Sequence, residues 1–118
     1  MQTILIKTAT GQQVATSVTL ARSFWSRARG LLMRRALKQD EGLLLEPGGS
    51  IHTVGMRFAI DALFLDERRR VLRIVPHLVP HRFARAPRGT RAVLEVAAGR
   101  AAVCAIEPGA YLICQGAS

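Results

Sequence analysis

Asp61 is the residue whose surroundings most need a chemical explanation. It lies in the run Ile60–Leu65, IDALFL. Strand alternation puts Asp61, Leu63 and Leu65 on one face and Ile60, Ala62 and Phe64 on the other. Both faces are apolar, so the carboxylate meets a hydrophobic surface on either assignment. A buried carboxylate without partners is costly or takes up a proton. Asp61 is therefore expected either to anchor the fold, by accepting backbone N–H bonds or pairing with Arg or His, or to line a ligand cleft. Glu95, in RAVLEV, raises a milder version of the question. Its face also carries Arg91 and Val93, so a solvated or edge position is expected.

The three histidines are His52, His77 and His81. Pro80 interrupts any regular helix that would set His77 and His81 on one face. A metal triad of these histidines, with Asp61 as fourth ligand, is conceivable, but the spacing does not demand it, and no metal or cofactor is expected. The histidines read better as loop or cleft residues that bind an anion together with Arg82 and Arg85. Met56, beside the Gly55 bend, is either a soft ligand or a gap-filling core residue. Ser50 follows Gly48-Gly49 without the Gly-x-Ser-x-Gly elbow. The glycine-rich stretches fit no phosphate loop. No catalytic residue can be named on these grounds. An acid–base hydrolase pairing Asp61 with a histidine is the alternative to a binding role.

The whole chain bounds these readings. With 118 residues and 49% hydrophobic content, it makes one domain with a real core. Aromatic residues are only 5%, so aliphatic side chains must fill that core. No apolar run is long enough to span a bilayer, and the start MQTILIKTATGQQ has no leader pattern. A cytoplasmic protein without a membrane partner is expected. The net charge of +9 comes from 15 Arg and 2 Lys against 8 acids. A small anionic ligand suits that balance. Nucleic acid suits it less, because no stacking aromatics are interleaved with the arginines. A basic adaptor for nucleic acid or a partner protein is the further alternative. The oligomeric state is not legible.

Around the candidate residues the elements read as follows. Residues 2–8 and Gln13–Leu20 form strands about the Thr10-Gly11 turn. Ser23 opens a short helix near residues 24–36, with Gly30 marking a close approach. Strands follow at Leu43–Glu46, Ile51–Val54 and Ile60–Leu65, and Arg70–Val75 returns antiparallel across a charged tip. Residues 76–89, PHLVPHRFARAPRG, carry three prolines and read as a long irregular loop. Arg91–Ala97 is a strand. Ala101–Ile106 and Tyr111–Gln115 form a last hairpin over EPGA. Cys104 and Cys114 flank that turn, so a cross-strand disulfide is conceivable, although two small apolar residues are the favoured reading. Many short strands and one helix predict a mainly β, single-domain fold, an antiparallel sandwich or partly closed barrel.

Several segments together resemble a family known as domain of unknown function 192. They are ARGLLMR (Ala28–Arg34), the GLLLE strand, GMRFAIDALFLD (Gly55–Asp66), RVLRIVP, and AVLEVAAG (Ala92–Gly99). The resemblance implies a compact, jelly-roll-like β-rich domain with a short helix. It carries no activity. It singles out Arg34, Met56, Asp61 and Glu95 as the matched positions. Many members of that family are exported and carry Trp-Met before the Asp block, whereas Gly55-Met56 stands here, which looks like a cytosolic branch. The expected function is a non-enzymatic binding module. Its polar cleft lies near Asp61 and the 76–89 loop, and is lined by Asp61, His52, Met56, Arg34, His77, His81 and Arg82.

Overall fold

The computed structural model describes residues 2–21 and 36–116. The helix expected near 24–36, apart from its last residue, and with it Arg34, lies outside the described residues. The described chain runs β1 (Gln2–Thr8), β2 (Gln13–Ala21), β3 (Glu41–Leu45), β4 (Ile51–His52), β5 (Ile60–Leu65), β6 (Val71–Leu78), β7 (Phe83–Ala84), β8 (Ala92–Ala97), α1 (Arg100–Val103) and β9 (Leu112–Gly116). Seven strands form one sheet in the order β6-β5-β8-β3-β2-β1-β9, while β4 and β7 make a separate two-stranded ribbon.

The sheet is curled into a half-barrel. Its two outer strands meet at one end through the Arg70–Tyr111 bridge. There the Val71 N–H donates to the Ala110 carbonyl at 2.7 Å, and the Leu112 N–H donates to the Arg69 carbonyl at 2.9 Å. Every residue of β5 and β8 is buried. That follows from cover on both sides of the sheet. The concave face gathers Ile4, Ile6, Val18, Leu20, Leu63, Leu94 and Val96 into one core. On the convex face Leu43, Ile60, Ala62, Phe64 and Val93 pack with Ile51 and Ala84, which are paired in the β4–β7 ribbon. The ribbon is thus a cover plate for β5, and its opposite face looks to solvent.

The mainly β, partly closed barrel expected from the strand spacing is what forms, with corrections in detail. The strands are not all antiparallel: β2 and β3 run parallel, Val18 beside Gly42. A parallel neighbour needs a long crossover, and residues 22–40 supply it. The stretch 76–89 is less irregular than its prolines suggest, because β6 continues through Pro76 to Leu78. Since β6 is an edge strand, Pro76 can lack an N–H there without breaking a ladder bond. The expected terminal hairpin does not form. Arg100–Val103 is a single helical turn, and β9 pairs with β1 instead. Cys104 and Cys114 are consequently on unrelated elements and both are free thiols. Burial pushes the Cys114 thiol up despite Arg69 beside it, so it is a poor nucleophile.

Gly48 carries a clear steric constraint. A Cβ there would stand 2.6 Å from the N, Cα and C atoms of Ala92, and its N–H donates to the Arg91 carbonyl at 2.7 Å. Backbone cannot rotate away as a side chain does. Gly48→Ala should therefore cost about 2 kcal/mol of stability. Gly49→Ala, whose Cβ would meet nothing within 4 Å, should be nearly neutral. Guanidinium unfolding of the two variants checks the contrast, and equal midpoints would count against it.

Candidate functional site

Asp61 projects from β5 onto the concave face, at 0% exposure. Its Oδ1 accepts the N–H of His77 at 3.0 Å and of Gly99 at 3.1 Å. Its Oδ2 accepts the N–H of Ala101 at 2.9 Å. The N-cap of α1 is Gly99, which has φ 91 and provides no side-chain cap. Asp61 does from across the fold what a capping side chain normally does locally. It also secures His77, whose φ of 49 places a non-glycine residue in the left-handed region. Three of the backbone donors at this corner therefore converge on one carboxylate.

This geometry corrects the expectation that Asp61 touches a ligand. The carboxylate is sealed, and its charge is used on backbone. His77 meets Asp61 through its main-chain nitrogen, and among the described residues Asp61 makes no hydrogen bond to a histidine side chain. Met56, 6% exposed, belongs to the convex core with Ile51 and Phe58, so the gap-filling reading holds for it. Among the described residues no cluster of three or more His, Cys, Asp and Glu side chains could hold a metal ion. Ser50 is a clasp, its Oγ accepting the Ala86 N–H at 2.9 Å.

His52, His81 and Arg82 are brought together, by a residue that sequence reasoning overlooked. Thr53 is fully buried. Its hydroxyl donates to the Val79 carbonyl at 2.7 Å and accepts the Arg82 N–H at 2.9 Å. Its own N–H donates to the Arg82 carbonyl at 2.8 Å, and its carbonyl accepts the His81 N–H at 3.1 Å. The clasp draws residues 79–82 against the end of β4. His52 then lies directly opposite Phe83 in the ribbon. All four of His52, His81, Arg82 and Phe83 are exposed. His77 is exposed too, but it sits at the Asp61 corner beside Gly99. No motif points to Thr53. Its only signal is a β-branched hydroxyl between a short strand and a glycine bend.

Glu95 is the other departure. It is 5% exposed rather than solvated, on the central strand β8 between Leu43 of β3 and Ala62 of β5. Among the described residues its carboxyl has no hydrogen-bond or ion-pair partner. Burial raises its pKa from 4.5 to about 7. Asp61 and Glu95 thus occupy opposite faces of one sheet with opposite solutions, one saturated by donors and the other held by desolvation alone. A surface groove of about 430 Å³ lies elsewhere, lined by Glu46, Pro47, Glu67, Arg69 and Arg91. Arg69 is paired with Glu46 across it.

Comparison with known proteins now decides the family. The model of the DUF192 family, described as "Uncharacterized ACR", matches residues 5–114. The chain belongs to the DUF192 family. Among solved structures, this DUF192 domain is similar to a "putative transcription regulator" from Sinorhizobium meliloti 1021. The two are 24% identical with a TM-score of 0.83, over 96% of this chain and 92% of that one. It is also similar to a protein of unknown function from Novosphingobium aromaticivorans DSM 12444, 27% identical with a TM-score of 0.81, over 94% and 83% of the two chains. A third, described as an exported protein from Burkholderia pseudomallei K96243, is 18% identical with a TM-score of 0.53, and the match takes up 25% of that chain. A comparison with curated proteins finds no match. These likenesses show that the half-barrel of this chain is a fold already seen in solved structures. No activity comes with it.

Proposed function

We propose that this DUF192 domain is a non-enzymatic binding module for a small anionic or polar ligand, with recognition at the ribbon by His52, His81 and Arg82. The observation that supports the reading is the Thr53 clasp, which holds the backbone of residues 79–82 against β4, so that His52, His81 and Arg82 are exposed residues of one loop cluster. Charge supports it. Residues 68–94 contain 8 Arg and 2 His and not one acid, so no carboxylate of that segment competes for these cations. A guanidinium offers paired N–H donors to a carboxylate or phosphate. The backbone of Arg82 is already fixed by two bonds to Thr53, which lowers the ordering cost of binding. A cytoplasmic location belongs to the same proposal and is supported by the two free thiols.

Inorganic phosphate and succinate serve as probes. Titration followed by amide NMR should shift the resonances of His52, Thr53, His81 and Arg82. Arg82→Ala should weaken the response about tenfold, the scale of one charge-assisted hydrogen bond. Shifts centred on Arg69 and Arg91 in the groove, or none at all, would sink this assignment.

A further inference from the structure

Six large hydrophobic side chains are exposed among the described residues, and three of them stand around the Thr53 clasp: Phe83 at 67%, Val54 at 57% and Val79 at 43%. Phe83 is the cross-strand partner of His52. The Val79 carbonyl receives the Thr53 hydroxyl, and Val54 follows Thr53 directly. Within three residues of these along the chain stand Arg57, Arg82 and Arg85, with His52 and His81, and all of them are exposed. Isolated exposed apolar residues are ordinary. An aromatic and two aliphatic side chains gathered at one loop end beside five basic residues are not.

We infer that this ribbon tip docks the domain onto an anionic lipid bilayer, with Phe83, Val54 and Val79 entering the interface and the basic side chains engaging headgroup phosphates. The inference rests on the anion-binding reading of the same residues and names the surface that presents the anion. Apolar side chains gain by leaving water for the acyl boundary, while guanidiniums keep their heads at phosphate level. Each basic residue near an anionic leaflet adds attraction. A stable protein partner fits less well, because it needs about 800 Å² on each side, far more than three apolar side chains supply. A single-stranded nucleic acid fits less well too, since two of the three apolar residues are valines with no ring to stack on. The tip is also held in shape before docking, by the hydrogen bonds of Thr53. Docking of this kind departs from the expectation of no membrane partner, and a surface contact leaves no trace in hydropathy.

Cosedimentation with vesicles tests it. The wild-type chain should partition onto phosphatidylglycerol–phosphatidylcholine vesicles and stay in solution with pure phosphatidylcholine. Phe83→Ser should lower that partition about tenfold, and Arg82→Ala or Arg85→Ala about fivefold each. Ile113→Ser, at an exposed residue of β9, should leave it unchanged. Phe83→Ser should also keep the phosphate-induced NMR shifts and the thermal midpoint of the wild type. If phosphate still shifts the ribbon but the anionic vesicles are not bound, or Phe83→Ser binds them like wild type, docking is wrong and anion recognition stands. If neither phosphate nor vesicles bind, both readings fall. Salt-sensitive retention of a single-stranded oligonucleotide without vesicle binding would overturn docking in favour of nucleic acid.

Discussion

Asp61→Ala is expected to lower the unfolding free energy by about 4 kcal/mol, read as a fall in the guanidinium midpoint at an unchanged slope. Three backbone N–H groups, of His77, Gly99 and Ala101, lose their acceptor together. α1 loses its cap at the same time, since its N-cap residue Gly99 makes no side-chain bond of its own. Hydrogen bonds to a charged acceptor contribute about 1.5–3 kcal/mol each, and relaxation keeps their sum below simple addition. Asp61→Asn separates charge from shape. Its amide oxygen can keep the two bonds of Oδ1, but its NH₂ then faces the Ala101 N–H, donor against donor. About half the loss of the alanine variant is expected. If Asp61→Ala unfolds like wild type, the carboxylate does not hold the corner.

Glu95 should make stability fall as pH rises, the reverse of the usual behaviour of a paired carboxylate. The pKa is about 7 in the folded chain against 4.5 as the ordinary value. Below the ordinary value both states are protonated and Glu95 exacts no penalty. Between the two values the unfolded chain releases its proton while the folded chain keeps it, so unfolding gains. The loss is complete by about pH 8 and amounts to about 3 kcal/mol. Glu95→Gln removes the titration. The variant should match wild type near the acid end and exceed it by about 3 kcal/mol at about pH 8. Unfolding midpoints measured across that range check the divergence, and parallel profiles for the two proteins would refute it.

Much of the scaffold was legible because its signals are local. Ile60–Leu65 and the return strand read directly from β-forming residues about a charged tip, and the turn at Thr10-Gly11 separates β1 from β2. The misreadings come from partners distant in sequence. Ala101–Ile106 looked like a hairpin strand because its helix has no local cap, and the cap it does have comes from Asp61, on another strand. Pro76 looked like a strand breaker because edge position depends on sheet order. Glu95 reads as solvated because alternation puts Arg91 on the same face. Arg91 in fact precedes β8, its N–H spent on the Leu65 carbonyl and its own carbonyl on Gly48. Removing Arg91 leaves a fully buried strand. In the site, the histidines and Arg82 were visible by type. The residue that assembles them, Thr53, was not.

The pairing of β9 with β1, from Ile4 beside Gly116 to Thr8 beside Leu112, also governs the order of assembly. A chain made from its N-terminus has β1 and β2 in hand early, yet β1 waits for its second neighbour until residues 112–116 leave the ribosome. Until then one row of its peptide groups stays open to any passing strand. Bringing ends so distant in sequence together costs loop entropy before any contact repays it, which slows folding toward the millisecond-to-second range of sheet proteins. The last strand is therefore also the lock on the first, and a chain stalled before Leu112 would expose the surface most prone to mispairing.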